Sequence, residues 1–591
     1  MGLSVSASDI ETIPAMLQNI KNKEFLARIS ELEAEIKKLK SRKKYGLVWE
    51  NRPEEVVDSC KHKLPVLAEE QNKEIITDSK SPVNILIEGD NYNSLSVLNY
   101  THQGKIDAIY IDPPYNTGAK DWKYNNDYVD ATDSYRHSKW ISFMNKRLKL
   151  ARNLLKDSGI ICVTIDDYEV SRLLLLMEEI FDEANHLGTV VIRNNPAGRS
   201  TTKGVSITHE YAIFFGKSHK SQVCRLERNQ LQIDRYDQKD SRGAFEWVNF
   251  RKPGSMRIES PSMFYPIYIT ADSVRIPNMK WDSDKEEWDT LEKPEQDEMV
   301  IYPIDDNGEE RRWRYGVERA RLEVKEFKSK MQKGKLHAYV KGRINEEGIL
   351  PMTWWDKKEY SSTAYGTNLL KEMFSELQVF SYPKSIFAVM DCLKVMTDKK
   401  DATFLDFFAG SGTTGHAVMA LNKNDSGNRK FILCTNNENK IAEDICYPRI
   451  KKVINGYKNQ KTENVKGFGG NLKYFKADFV DAKQTDQNKR KLVEKSTEML
   501  CLKEDCFEQV KKGQNFKIFK NGESKYLGIV YDDTGIEPFK KEIQKLNEKV
   551  VTYIFSLDDS AREEEFEDIK KLVDLKPIPA VILNVYKQIF K

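Results

Sequence analysis

The chain has 591 residues, and 39% hydrophobic with 10% aromatic content gives it material for cores, so general disorder is excluded. Lys+Arg number 94 against 91 Asp+Glu, and the formal charge of +3 excludes a purely electrostatic nucleic-acid adhesive while permitting a local basic surface. No apolar run approaches the roughly 18–20 residues of a membrane span, residues 1–14 lack the basic-then-apolar order of a secretory signal, and the cysteines and histidines show no metal-ligand spacing, which reads as a cytosolic chain with reduced thiols and no metal site.

Residues 1–80 read as a charged helical arm. Phe25, Ile29, Leu32, Ile36 and Leu39 follow a heptad seam, which fits a helix packed on its own domain, with a short dimerising coil as the alternative. From 81 to 195 strands and helices alternate: strands at 83–88 (VNILIE), 106–111 (IDAIYI), 160–165 (IICVTI) and 189–193, helices at 140–155 and 168–181. Such alternation with short loops predicts a parallel sheet covered on both faces. Residues 196–375 break the rhythm and read as an inserted domain of loops and short strands. Alternation resumes over 376–470 with strands at 403–406 and 431–435 and helices at about 414–421 and 441–454. The tail, 471–591, reads as a smaller α/β domain with strands at 526–531, 550–555 and 580–585 and helices at 536–546 and 561–572.

Two motifs carry chemistry. Asp112-Pro113-Pro114-Tyr115 closes a predicted strand, where ligands bind in open α/β sheets. Two prolines remove two backbone donors and leave the Pro113 carbonyl without a ladder partner. A carboxylate, that carbonyl and an aromatic ring together suit a planar exocyclic amine. Accepting both N–H bonds pulls the nitrogen towards tetrahedral geometry and frees its lone pair, and the site stabilises the positive charge that develops there. A proline-rich turn capped by an aspartate is the plainer alternative.

The second motif, Asp406-Phe407-Phe408-Ala409-Gly410-Ser411-Gly412-Thr413-Thr414-Gly415, follows a strand and opens a helix. Its glycines permit a tight turn and close ligand approach, and the helix N-terminus favours a negative group. Gly410, Gly412 and Gly415 also satisfy G-x-G-x-x-G. A nicotinamide dinucleotide site would want an acidic residue closing the next strand, where Thr435-Asn436-Asn437 stands and Glu438 comes late.

Together the motifs resemble those of the DNA amino-methyltransferases that use S-adenosylmethionine. Asp112 to Tyr115 resembles their D-P-P-Y, and Phe408 to Gly412 their F-x-G-x-G loop. The order, catalytic motif, long insertion, cofactor loop, resembles the β class, whose insertion is a target-recognition domain. Ile87 to Asn91, Asp112 to Gly118, Phe380 to Ser385 and Leu405 to Val418 look most like the modification subunits of type III restriction–modification systems. The resemblance covers residues 83–455.

What it implies is a Rossmann-like α/β sheet in permuted motif order, with an inserted recognition domain, an N-terminal helical arm and a small C-terminal α/β domain. Asp112 and the Pro113 carbonyl, on the Pro113-Pro114 turn, would accept from an adenine amine, and Tyr115 would stack on the flipped base. Phe408 and Ala409 would line the methyl region. Gly410, Ser411, Gly412, Thr413 and Thr414 would hold the methionine end, Asp406 its ammonium, Lys384 and Ser385 its carboxylate, and Asp90 the adenosine half. Asn436 or Glu438 would meet the ribose. Arg311, Arg312 and Arg314 are candidates for DNA contact, with a solvated charge run as the alternative. His137 and His209 read as ordinary polar residues, and Trp354-Trp355 as core. An aspartate in first position implies adenine N6, with cytosine N4 a near neighbour. The implied partners are double-stranded DNA, a second copy of the chain and a separate helicase-nuclease, since no G-x-x-x-x-G-K-[ST] loop is present. A recognition subunit working mainly through that nuclease is the competing reading.

Overall fold

The apolar runs pair into a ten-stranded mixed sheet in the computed structural model. The structure describes residues 32, 49–78, 81–125, 127–198, 204–345, 347–374, 382–522, 524–558 and 560–590, so that the Phe25–Leu39 seam, Leu32 apart, lies outside the described residues. In chain order the strands are β1 (Lys63–Glu69), β2 (Val83–Glu88), β3 (Ile106–Ile111), β4 (Leu155–Ile165), β5 (His186–Ile192), β6 (Glu210–Gly216), β7 (Trp354–Trp355), β8 (Thr403–Asp406), β9 (Lys430–Thr435) and β10 (Asn471–Asp481). Their order across the sheet is β1-β10-β2-β9-β8-β3-β4-β6-β5-β7.

The six strands from β10 to β4 run parallel, and β1, β6 and β5 join antiparallel to their inner neighbours. The middle strands are sandwiched, which is why their sequences are nearly continuous apolar runs; all six residues of β3 are buried. Strand β8 lies beside β3, with Phe404 opposite Ala108 and Leu405 opposite Ile109. Two segments nearly 300 residues apart in the chain thus end side by side at the carboxyl edge of the sheet.

Helices cover the faces: α1 (Asn91–Thr101), α2 (Arg136–Leu154), α3 (Val170–Phe181), α4 (Ile386–Met396), α5 (Thr413–Asp425) and α6 (Tyr447–Asn455). In α3 the buried Leu173, Leu176, Met177 and Ile180 recur at 3–4 residue spacing, the stripe that seats a helix on a sheet. The helix expected over 441–454 is one π-helical turn (Ile441–Cys446) running into α6.

Arg225–Pro351 form a second compact unit, narrower than the 196–375 expected for the insertion. Residues 210–216 (EYAIFFG) and Trp354-Trp355 are instead strands of the large sheet. The second unit holds a four-stranded antiparallel sheet and a core of Phe250, Tyr265, Ile267, Trp313, Phe327 and Val340. Its two ends are clasped by a pair of backbone bonds between Leu226 and Ile349, each 2.9 Å. Gly348, at φ +90°, lets the strands close: a Cβ there would stand 2.3 Å from the Leu226 carbonyl oxygen.

The tail departs from expectation in three places. Residues 471–481 belong to the large sheet as β10. The C-terminal five-stranded sheet runs in sequence order β11 (Glu508–Lys512), β12 (Phe516–Lys520), β13 (Tyr526–Val530), β14 (Val550–Phe555) and β15 (Val573–Ile578). Residues 580–589, expected to begin with a strand, are helix α8, which follows α7 (Ile536–Leu546), and 563–569 is a 3₁₀ helix. Tyr553 of this sheet and Tyr586 of α8 share a buried cluster with Tyr100 of α1, and the sheet is part of the first compact unit.

Candidate active site

Asp112 leaves the end of β3, and three donors converge on its Oδ1: the Thr164 hydroxyl from β4 at 2.8 Å, the Tyr115 hydroxyl at 2.9 Å and the Lys384 ammonium at 3.0 Å. Trp140 of α2 donates its indole N–H to the Pro114 carbonyl at 2.7 Å and pins the diproline turn. Glu210, the buried first residue of β6, brings Oε2 to 2.6 Å from Lys384 and 3.0 Å from the Tyr115 hydroxyl, whose single proton serves one carboxylate at a time. Burial and these two carboxylates push the Tyr115 phenol well above its ordinary range. Burial alone would lower the Lys384 ammonium, but Asp112 and Glu210 outweigh it and hold its pKa at about 12.

The turn continues into Asn116, held at φ 57°, whose amide group donates to the fully buried Glu169 and accepts from Trp122 at 3.0 Å. His137, expected to be an ordinary polar residue, also meets Glu169 and so braces the turn. His209 lies 3.1 Å from the Tyr211 hydroxyl.

Beside this, Asp406 closes β8 and accepts from the Phe408 backbone N–H at 2.9 Å and the Thr414 hydroxyl at 2.6 Å. Burial, with a smaller contribution from the Asp112 charge, pushes its pKa up to about 7 in spite of those two donors. Gly410 (φ 50°) and Gly412 (φ 77°) turn the chain into α5, and a Cβ on Gly412 would sit 3.1 Å from the Cys446 sulfur. Ala409 donates to the Cys434 carbonyl at 3.1 Å, tying the loop to β9. Ser411 and Thr413 face a buried guanidinium, Arg449 of α6, at 3.1 and 2.8 Å. The Phe408 ring lies 5.8 Å from Phe143.

Asp90 follows β2 and caps α1 by accepting from Tyr92 N–H at 2.7 Å; Arg147 approaches it at 3.4 Å and pairs with Glu54 at 2.6 Å. After β9, Asn437 accepts from the Glu443 N–H, and Glu438 pairs with Lys123 of the hairpin 119–130. Asn439 and Lys440 then take left-handed backbone conformations.

Two expected site residues stand elsewhere than the resemblance implies. Lys384 is drawn between the carboxylates of Asp112 and Glu210. Ser385 is buried, caps α4 by accepting from Ala388 N–H, and donates to the Glu359 carbonyl. Thr164, Glu210 and Arg449 were not singled out from sequence. Each reaches its partner from another strand or helix, and no local spacing marks them.

In the second unit the three arginines differ. Arg311 is neutralised by Asp305 at 2.8 Å and by Glu309. Arg314 donates to the Asn249 carbonyl at 2.7 Å. Among the described residues Arg312 meets neutral groups, the Ser260 and Ser255 hydroxyls at 3.3 and 3.4 Å and the Met263 sulfur. Trp355 is buried against Tyr360, as expected of core, whereas Trp354 is 52% exposed.

A DNA methylase profile matches residues 106–446, from the first residue of β3 through the π turn that packs on the glycine loop. The chain belongs to the DNA methylase family. Among relatives of this methylase, the type II methyltransferase M.KpnI of Klebsiella pneumoniae is 36% identical over 61% of this chain and 82% of its own. The EcoPI Mod subunit of a type III restriction-modification enzyme, from Escherichia phage P1, is 30% identical over 70% of this chain and 66% of its own. The StyLTI Mod subunit of Salmonella typhimurium is 29% identical over 66% and 58%. The methylase is a DNA methyltransferase, and its methyl donor is S-adenosylmethionine. The residues present suit that donor: a buried carboxylate, Asp406, matches an ammonium, and two glycine bends lead into a helix start whose positive end favours a carboxylate.

Proposed function

We propose that this DNA methylase methylates adenine N6 at a specific duplex site, as the modification and specificity subunit of a type III-like restriction–modification system. The observation that carries this is the adjacency of β3 and β8, which sets Asp-Pro-Pro-Tyr beside the glycine loop.

S-adenosylmethionine supplies an electrophilic methyl on a sulfonium. The protein's part begins with rotating the target base out of the duplex, at a cost of a few kcal/mol. Asp112 Oδ1 is occupied by its three donors, so Oδ2 is the oxygen left to accept one amine N–H. Trp140 takes the Pro114 carbonyl, which leaves the Pro113 carbonyl for the other. The Tyr115 ring stacks on the base, and its anchored hydroxyl sets the ring's orientation. As nitrogen gains the methyl it becomes positive, and the Asp112 carboxylate stabilises that charge and then accepts the surplus proton. Asp406 holds the donor's ammonium, Phe408 and Ala409 line the methyl region, Gly410 to Thr414 cradle the methionine end, and Asp90 meets the adenosine. Asn436 or Glu438 serves the ribose. Duplex recognition belongs to the second unit, where Arg312 and Arg314 both have no carboxylate within ion-pair distance among the described residues.

Single-molecule sequencing of host DNA with and without the gene tests this directly. N6-methyladenine at one recurring sequence supports it; N4-methylcytosine there would replace the base assignment. The Mod relatives are subunits of restriction-modification enzymes, which supports a separate nuclease as a partner; a second copy of the chain belongs to the same proposal. Robust methylation by the isolated chain would rule out the reading in which it acts mainly through that nuclease.

A further inference from the structure

Among the described residues of the first compact unit two arginines are wholly buried, and they are treated differently. Arg147, 0% exposed, is matched by carboxylates, Glu54 at 2.6 Å and Asp90 at 3.4 Å. Arg449, also 0% exposed, has none within ion-pair distance among the described residues. Its Nη1 donates to Thr413 Oγ1 at 2.8 Å, Ser411 Oγ at 3.1 Å and the Ser411 carbonyl at 3.3 Å; Nη2 lies 3.4 Å from His416 Nδ1, and Nε has no partner. All these partners are neutral, since burial and the Arg449 charge itself hold His416 well below its ordinary range. Burial lowers the guanidinium to about 10, so it stays charged at neutral pH.

An isolated buried charge is strongly disfavoured, and buried charges are normally paired. Here the unpaired charge stands directly behind the two hydroxyls that flank Gly412, at the positive end of α5. The guanidinium, the two hydroxyls and the helix start favour an anion at that spot, and a complementary carboxylate, Asp406, lies at the start of the same loop. An amino acid end group, one anion and one cation, fits the pair.

We propose that Arg449 is the counter-charge for the α-carboxylate of the cofactor's methionine end, acting through the Ser411 and Thr413 hydroxyls as a positioning residue. This takes over the task that the resemblance gives to Lys384 and Ser385, and it rests on the assignment of the 406–415 loop to the methionine end.

The test uses the full chain and two ligands, S-adenosylhomocysteine and its α-carboxamide, with binding measured by calorimetry. The wild type should prefer the carboxylate by about 10–100-fold, the range of a charge-assisted hydrogen bond. Arg449→Met should bind the carboxamide as the wild type does and lose the preference to within about threefold, while Arg449→Lys keeps part of it. Ligand-free Arg449→Met should melt no lower than wild type, because it removes an uncompensated buried charge. An undiminished preference in Arg449→Met, or in Arg449→Lys if the Met variant fails to fold, overturns the proposal. A wild type that binds S-adenosylhomocysteine without preferring its carboxylate overturns the loop assignment instead.

Discussion

Three donors converge on one oxygen of Asp112, one from β4, one from its own diproline turn and one from the segment before α4. Replacing Asp112 by alanine removes the acceptor for the amine but leaves the glycine loop intact. Asp112→Ala should cut methyl transfer by about a thousandfold or more, with S-adenosylhomocysteine affinity within about threefold of wild type; tritiated-methyl incorporation and calorimetry separate the two. Lys384 neutralises the Asp112–Glu210 pair from 3.0 and 2.6 Å. Lys384→Met should therefore lower turnover by about 10–100-fold and shift its pH profile, with cofactor binding preserved; weakened cofactor binding at normal turnover would return Lys384 to the methionine end. Asp406 gives a pH dependence with two opposite signs. Its folded pKa of about 7 stands above the ordinary 3.8, so folding takes up a proton between those values. Stability from this group is highest below the lower value and falls as pH rises through the upper one. Ammonium binding needs the ionised form, so cofactor affinity should rise with pH, by up to about tenfold per unit below 7. Asp406→Asn should flatten both curves, seen in melting and binding series from pH 5 to 8.

At the level of elements, the glycine loop is held by its neighbours as much as by its own turns. Gly412→Ala puts a side chain at φ 77° and 3.1 Å from the Cys446 sulfur. It should cost about 1–3 kcal/mol and weaken cofactor binding, readable as a lower midpoint in urea with an unchanged slope. The central strands were legible because burial on both faces writes an unbroken apolar run. The same rule misled at 580–585: AVILNV is apolar enough for a strand but is the start of helix α8. The true strand, β15, carries Asp574, Lys576 and Pro577, tolerable because it lies at the sheet edge. Over 561–572 the buried Phe566 and Ile569, three apart, suit a 3₁₀ turn as well as an α-helix. The motifs were legible because Asp112 to Tyr115 and Asp406 to Gly415 are contiguous. Thr164, Glu210 and Arg449 were not, since each is brought in from tens of residues or more along the chain, and only strand order places them.

For the whole molecule, the proposed function assigns cofactor binding to the first compact unit and target recognition to the second, and that assignment is testable. Replacing 227–348 by a short Gly/Ser linker should leave S-adenosylhomocysteine binding within a few-fold, because Asp406, the glycine loop and Arg449 all lie in the first unit. It should abolish site-specific DNA binding, read by gel shift with competitor DNA; retained specificity would place recognition elsewhere. The two-rung clasp between Leu226 and Ile349 makes the inserted unit a loop with a single entrance. Between β6 and β7 the catalytic sheet requires only that the chain leave and come back. On the proposed function, a lineage acquires a new target by exchanging one cassette through that gate, while the machinery that writes the mark is inherited untouched.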